Sequence, residues 1–423
     1  MARSSILSDE LLRQLVAVGQ VDILVGVPTF NNAATIQSVV TTLHVGLAKH
    51  FPRERTVIVS PDGGSDDGTR DLVRGAPMAA EELAGSSTLR TTHRVSVTYP
   101  GLPGRSGGVR TVFAAADLLQ ARVVVIFDPT VSGMTPDWVE ALARPVWKGE
   151  SDLVLPIHPR HRLDAPLMSQ LVRPLLGAAY GRRLRSNLAG DFACTGKFAA
   201  RQVGRSIWEQ DLILPALDVW LVATAMGEDL RLSQAHLGPA HFAPRAARAG
   251  LPELFAQVVG TAFRCLDENA AAWLERLDPA DLPTHGQPGA PVGAEPSVDL
   301  GPMAERFRSG IRDLAPLLRE ILAAETIGRL QAAAQGADMP RIADALWVET
   351  VYEFAASAHR GVMSREHLAQ AMVPLYLGRV ASFFSEIAAL SEEAYATRLA
   401  ALEGEFESLR PSLVESWKSE GGR

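Results

Sequence analysis

A chain of 423 residues, 47% of them apolar, is long enough to bury a large α/β core and a second, smaller part without disulfide or metal staples. A net charge of −7 argues against a nucleic-acid partner, which calls for a basic face, and no apolar run reaches the roughly 18–20 residues of a membrane span. The two cysteines, Cys194 and Cys265, have neither zinc nor disulfide spacing, and the acidic, amphipathic N-terminus is unlike a signal peptide, so a cytoplasmic protein is expected.

Residues 5–19 read as a short amphipathic helix, so 1–20 is taken as an N-terminal helical element. Residues 22–28 form a continuous apolar run, the mark of a strand buried on both faces, and lead into Thr29-Phe30-Asn31-Asn32 and a helix over 33–50. The order repeats with a strand at 55–60, the turn-rich Pro61-Asp62-Gly63-Gly64-Ser65-Asp66-Asp67-Gly68-Thr69, and another helix. A third strand at 94–99 precedes a glycine-rich loop over 100–108 and a helix from about 109 to 120. The fourth strand, 122–127, is the most apolar and stops at Asp128. Repeated strand–loop–helix units with apolar strands predict a mainly parallel sheet between helices, whose ligands bind beyond the carboxyl ends of the strands. All the polar loops just named fall on that edge.

The α/β part is expected to run over 21–278. Residues 279–302, rich in Pro and Gly, read as a linker or loop, and 303–423 as a helical C-terminal region with stops at Gly336, Pro340, Gly361 and Pro411. The apolar residues over 368–387 suit either packing between the two parts or a homodimer contact.

A strand that ends in an acidic, glycine-rich loop can hold a base and ribose through carboxylate and backbone hydrogen bonds, which makes Asp62 and Ser65 candidates, although a plain tight turn looks the same. Together, Pro28-Thr29-Phe30-Asn31-Asn32 and Asp62-Gly63-Gly64-Ser65-Asp66-Asp67-Gly68-Thr69 resemble the nucleoside-binding loops of family 2-like GT-A glycosyltransferases, with Asn32 where that family usually has Glu. Gly104-Arg105-Ser106-Gly107-Gly108-Val109-Arg110-Thr111 resembles the segment that opens the family's third helix near the diphosphate, with Arg105 in place of Lys as phosphate partner. The resemblance implies a GT-A fold, Rossmann-like, with an α-helical C-terminal extension. It also implies that Pro28, Thr29, Asn31, Asp62, Ser65, Arg105 and Asp128 bind the nucleotide sugar.

The family's Asp-x-Asp, which holds Mg²⁺ or Mn²⁺ against the diphosphate, reads Asp128-Pro129-Thr130 here, so the second carboxylate is replaced by a neutral oxygen. Arg173-Pro174-Leu175-Leu176, Gly190-Asp191-Phe192-Ala193, Leu217-Asp218-Val219 and Leu237-Gly238-Pro239-Ala240-His241 narrow the resemblance to the retaining synthases of glucosylglycerate, glucosyl-3-phosphoglycerate and mannosylglycerate. That resemblance implies Asp128 and His241 as metal ligands, Asp191 facing the sugar or acceptor, and Asp218 near the site of transfer. Read on their own, Asp191, Asp218 and His241 suit a turn, a helix N-terminus and a strand end, respectively.

The implied reaction moves glucose or mannose, with retention, from a nucleoside diphosphate sugar to a small anionic acceptor such as D-glycerate or 3-phosphoglycerate. The basic run His158-Pro159-Arg160-His161-Arg162 and the pair Arg182-Arg183 suit an anion, making Arg160, Arg162 and Arg182 the acceptor candidates, or else form a solvated surface. Two other functions share these motifs: transfer to a polyprenyl phosphate, and nucleotide-sugar binding without catalysis.

Overall fold

The computed structural model describes residues 6–76, 92–100, 104–209, 212, 215–242, 250–276, 279–290, 297–336 and 338–419. Residues 101–103 of the predicted glycine-rich loop and 291–296 of the predicted linker lie outside them.

The strands are β1 Ile23–Gly26, β2 Thr56–Asp62, β3 His93–Thr98, β4 Val123–Ile126, β5 Val131–Ser132, β6 Leu153–Ile157, β7 Arg182–Arg183, β8 Phe192–Thr195, β9 Leu232–His236, β10 His241–Phe242, β11 Ala280–Asp281 and β12 Thr284–His285. Eight of them make one sheet in the order β12-β9-β6-β8-β4-β1-β2-β3. Every pairing in it is parallel except those of β8, which runs antiparallel to both β4 and β6. The mainly parallel α/β sheet expected from the apolar runs is therefore present, as is the helical C-terminal region.

Alternation along the strands divides the core in two. Ile23, Val25, Val123 and Val125 face the helices Ile36–His50 and Asp137–Trp147. Leu24, Val124 and Ile126 face the helix Arg105–Leu118, and from there one continuous cluster of buried side chains runs through the helices Ala216–Gly227 and Leu251–Glu268 into the C-terminal helices.

Three expectations change, and a fourth is decided between its two alternatives. The third helix starts at Arg105, not near 109. Glycine weakens a helix by about 1 kcal/mol, which favours reading the segment as a loop, but a Cβ on Gly107 would sit 2.8 Å from the Tyr99 ring and one on Gly108 2.6 Å from Pro28 Cβ. Close packing of this helix on the sheet edge outweighs propensity. Pro411 ends nothing, because it lies inside the helix Glu392–Lys418, whose Leu413 and Trp417 beyond the proline are buried against the core. The stretch 279–302 is tethered, since β11 pairs with β7, β12 extends the sheet beside β9, and a helix begins at Gly301. Finally, Leu368, Met372, Leu375 and Ile387 of the helix Arg365–Ile387 are buried inside the chain, against the helices Gly301–Asp313 and Leu251–Glu268, so that face is not available to a second copy. Among the described residues no helix is long and apolar enough to cross a membrane.

Candidate active site

The carboxyl ends of β1 and β2 are locked together by side chains. Thr29 extends the pairing beyond β1 by bridging to Asp62. The Asp62 carboxylate, fully buried, accepts from the Gly64 and Ser65 amides at 3.0 and 2.8 Å through Oδ1, and from the Ser65 and Thr29 hydroxyls at 2.6 and 3.0 Å through Oδ2. Ser65 Oγ accepts the Asn31 amide at 2.8 Å, and Asn31, held at φ 53°, accepts the Asp66 amide on Oδ1 at 3.1 Å. Asp67 makes a second brace, taking the Ala33 amide at 2.9 Å and the Thr69 amide at 3.0 Å. Asp62 and Ser65 thus shape the two loops from within. All four of these bonds to the Asp62 carboxylate come from the loops themselves. Pro28 is a buried packing surface beneath Gly108.

Beside these loops stands the end of β4. Asp128 is fully buried; its Oδ1 accepts the amide and hydroxyl of Thr130 at 2.8 and 2.5 Å, and its Oδ2 lies 3.8 Å from Arg105 Nη1. Arg105, the first residue of its helix, also donates to the Gly190 carbonyl, while its Nε is buried with no hydrogen-bond partner among the described residues. A buried guanidinium nitrogen without an acceptor, at a helix N-terminus where amides point outward, is suited to an anion.

Asp191 reaches the same edge because β8 is reversed, so that the residue before its first position stands where the parallel strands end. Its Oδ1 accepts the Asp128 amide at 2.7 Å and its Oδ2 lies 3.1 Å from His158 Nε2. Both carboxylate oxygens are thus engaged within the protein, one of them by the Asp128 turn. Asp218, 4% exposed in the first turn of its helix, is buried as well, sharing with Asp191, Leu155 and Phe192 a void of about 10 Å³.

His241 is brought back to the site by a short antiparallel pair in which it lies opposite Ser132, four residues beyond Asp128. Among the described residues no three His, Cys, Asp or Glu side chains converge as a metal-ligand group. Asp128 and His241 are the candidate protein donors for Mg²⁺ or Mn²⁺, and diphosphate oxygens and water would have to complete the coordination shell.

The acceptor candidates separate. Arg162 donates to the Ile387 and Leu390 carbonyls at 3.3 and 2.6 Å and pairs with Glu392, which makes it a tie to the C-terminal helices. Arg182 lies 3.8 Å from Asp229, just before β9, and so stands at the opposite edge of the sheet. Its neighbour Arg183 is bound through two nitrogens to Glu407 at 2.6 and 2.7 Å, a pairing that raises its pKa further above the ordinary arginine value. Of the three, Arg160 lies half-buried two residues past His158. His158, read as part of a basic loop, is instead a buried member of the site, and its position one residue past β6 was the signal for that.

A cavity of about 610 Å³ opens at the amino edge instead, among Arg122, Asp152, Lys197, Arg201 and Arg231. It is remote from these loops and its arginines are engaged, Arg231 by Asp152, Arg201 by Glu228 and Arg122 by the Trp147 ring, so the polar loops and not this cavity mark the site.

No family model and no curated protein matches the chain. Among solved structures it is similar to glucosyl-3-phosphoglycerate synthase from Mycobacterium tuberculosis in complex with Mn²⁺, UDP and glucosyl-3-phosphoglycerate, at 21% identity over 63% of this chain and 85% of that one, TM-score 0.39. The same enzyme with Mn²⁺, UDP-glucose and phosphoglyceric acid gives 22% identity over 60% and 83%, TM-score 0.40. A structure described as a mycobacterial protein gives 21% over 62% and 78%, TM-score 0.41. The likeness is remote. It assigns no substrate to this chain.

Proposed function

We propose that the protein transfers a hexose, glucose or mannose, from a nucleoside diphosphate sugar to a hydroxyl of a small anionic acceptor such as D-glycerate or 3-phosphoglycerate, with retention. The observation that carries this reading is Arg105, whose buried Nε has no partner among the described residues and lies at a helix N-terminus beside Asp128, next to two braced loops whose residues follow the order of nucleoside-binding motifs.

In this reading the loops at 28–32 and 62–69 seat the nucleoside, and Arg105 with the first amides of its helix takes up the charge that grows on the diphosphate as the sugar C1–O bond breaks. The acceptor oxygen bonds to C1 and its proton passes to the departing diphosphate or to solvent. Asp128 and His241 would hold Mg²⁺ or Mn²⁺, which would supply positive charge to the same leaving group. Arg160 is the remaining candidate for the acceptor's anionic group. Asp191 and Asp218 serve by position.

A second reading, nucleotide-sugar binding without turnover, is favoured by one feature: the Thr130 hydroxyl occupies Asp128 Oδ1, where a second carboxylate would have left it open to a metal. The experiment that separates the two is nucleoside diphosphate release from UDP-, GDP- and ADP-glucose and GDP-mannose, with each acceptor and with Mg²⁺, Mn²⁺ or EDTA. Acceptor-dependent release lost with Arg105→Ala supports transfer. Nucleotide binding without release across the panel selects the silent protein.

A further inference from the structure

His158 touches both halves of the site that the sequence motifs define separately. Its Nε2 lies 3.1 Å from Asp191 Oδ2, and Asp191 Oδ1 in turn fixes the Asp128 amide at 2.7 Å. Its Nδ1 faces the Gly238 carbonyl at 3.5 Å, three residues before His241. The ring is fixed in the remaining direction by Trp138, with centroids 4.9 Å apart, and a Cβ on Gly238 would come within 3.4 Å of Trp138 Nε1, so the three groups form one packed unit. The side chains of His158 and Asp191 are 3% and 0% exposed. A hydrogen bond so well shielded from water holds geometry firmly, since water does not compete for either partner.

The backbone explains why one residue can do this. His158 directly follows β6, which lies between β8 and β9. Asp191 enters β8 on one side, and Leu237, whose amide donates to the Ile157 carbonyl at 3.0 Å, leaves β9 on the other. The edge of the sheet therefore sets Asp191, His158 and Gly238 side by side.

We infer that His158 is a positioning residue, a buried strut that sets the Asp128 turn against the segment carrying His241. This rests on the reading of Asp128 and His241 as the groups that face the diphosphate and its metal. The two ring nitrogens act on different loops, and two substitutions separate them. His158→Gln keeps a donor near the Nε2 position and loses the Gly238 contact; His158→Asn keeps a donor near Nδ1 and loses the Asp191 contact.

The test is amide hydrogen exchange on the full chain, read at 127–130 and at 238–241, alongside binding of Mn²⁺ with UDP or GDP. In His158→Asn, exchange at 127–130 rises roughly tenfold while 238–241 holds; in His158→Gln the pattern reverses; His158→Ala loosens both. General destabilisation would raise both regions in every variant, and that result, or no change in any, overturns the inference. Mn²⁺–nucleotide affinity is expected to fall in all three, most in His158→Ala. If the unaltered protein binds neither nucleotide, the functional reading fails while the exchange pattern still decides the role of His158.

Discussion

Four donors meet the Asp62 carboxylate, and what it accepts determines what its loss does. Asp62→Ala leaves the Gly64 and Ser65 amides and two hydroxyls without their acceptor, so unfolding free energy is expected to fall by roughly 3 kcal/mol in urea titration, and by less for Asp62→Asn, which keeps one carbonyl oxygen. Arg105→Ala is expected to lower the rate of nucleoside diphosphate release about a hundredfold with little change in unfolding midpoint, and Arg105→Lys to recover part of it, because a lysine supplies the charge without the fork. Asp62 and Asp128 stand at the ends of strands that local apolar pattern reveals, whereas Arg105 is reached only through a motif resemblance, its helix start reading as loop from sequence. Arg162 and Arg182 could not be told from site residues in that way. Their partners, Glu392 and Asp229, are remote in sequence, and density of charge along a chain says nothing of the direction a side chain takes.

At the scale of elements, the C-terminal helices are clamped by charge as well as by apolar packing. Besides the pairs of Arg162 and Arg183, Arg173 meets Glu403 at 3.1 Å, so three arginines of the α/β part hold the helix Glu392–Lys418. Deeper in, Arg379 is fully buried and donates to Gln170 Oε1 at 3.1 Å, the Ile342 carbonyl at 2.7 Å and Asp344 at 2.7 Å, while Arg398 closes a two-pronged contact on the same carboxylate. Burial alone would raise the Asp344 pKa, but the hydrogen bonds and charges of Arg398 and Arg379 outweigh it and hold the group below its ordinary value. A depressed folded-state pKa means that this stabilisation is complete above the ordinary aspartate range and disappears as pH falls through the folded value. Asp344→Asn is therefore expected to flatten the loss of thermal stability below about pH 4, measured as Tm against pH. Arg379→Ala is expected to destabilise by roughly 3 kcal/mol, because Asp344 keeps only one of its two cations. The helices themselves were legible from their periodicity. The missed boundaries were those set by packing: Gly107 and Gly108 lie inside a helix because the sheet edge leaves no room for a side chain, and Pro411 is carried by the buried Leu413 and Trp417.

Over the whole molecule, one core cluster spans the sheet face and the C-terminal helices. Division at a proline-rich stretch suggested two separable parts, but composition reports how easily a chain bends, and β11 and β12 show that this stretch is bound at its first half. Scanning calorimetry is expected to give a single cooperative transition, and a chain ended at residue 300 is expected not to fold, since the face covered by the helices Arg365–Ile387 and Glu392–Lys418 would lie open to water. The reversed strand has a further consequence for how the molecule comes together. β4 and β6 are not neighbours until β8 is laid between them, and β8 is synthesised after both. Asp191 enters the sheet with that strand, so the turn at Asp128 acquires its prop only when the seam closes. A chain that collapsed without β8 is therefore expected to hold two half-sheets and no working edge.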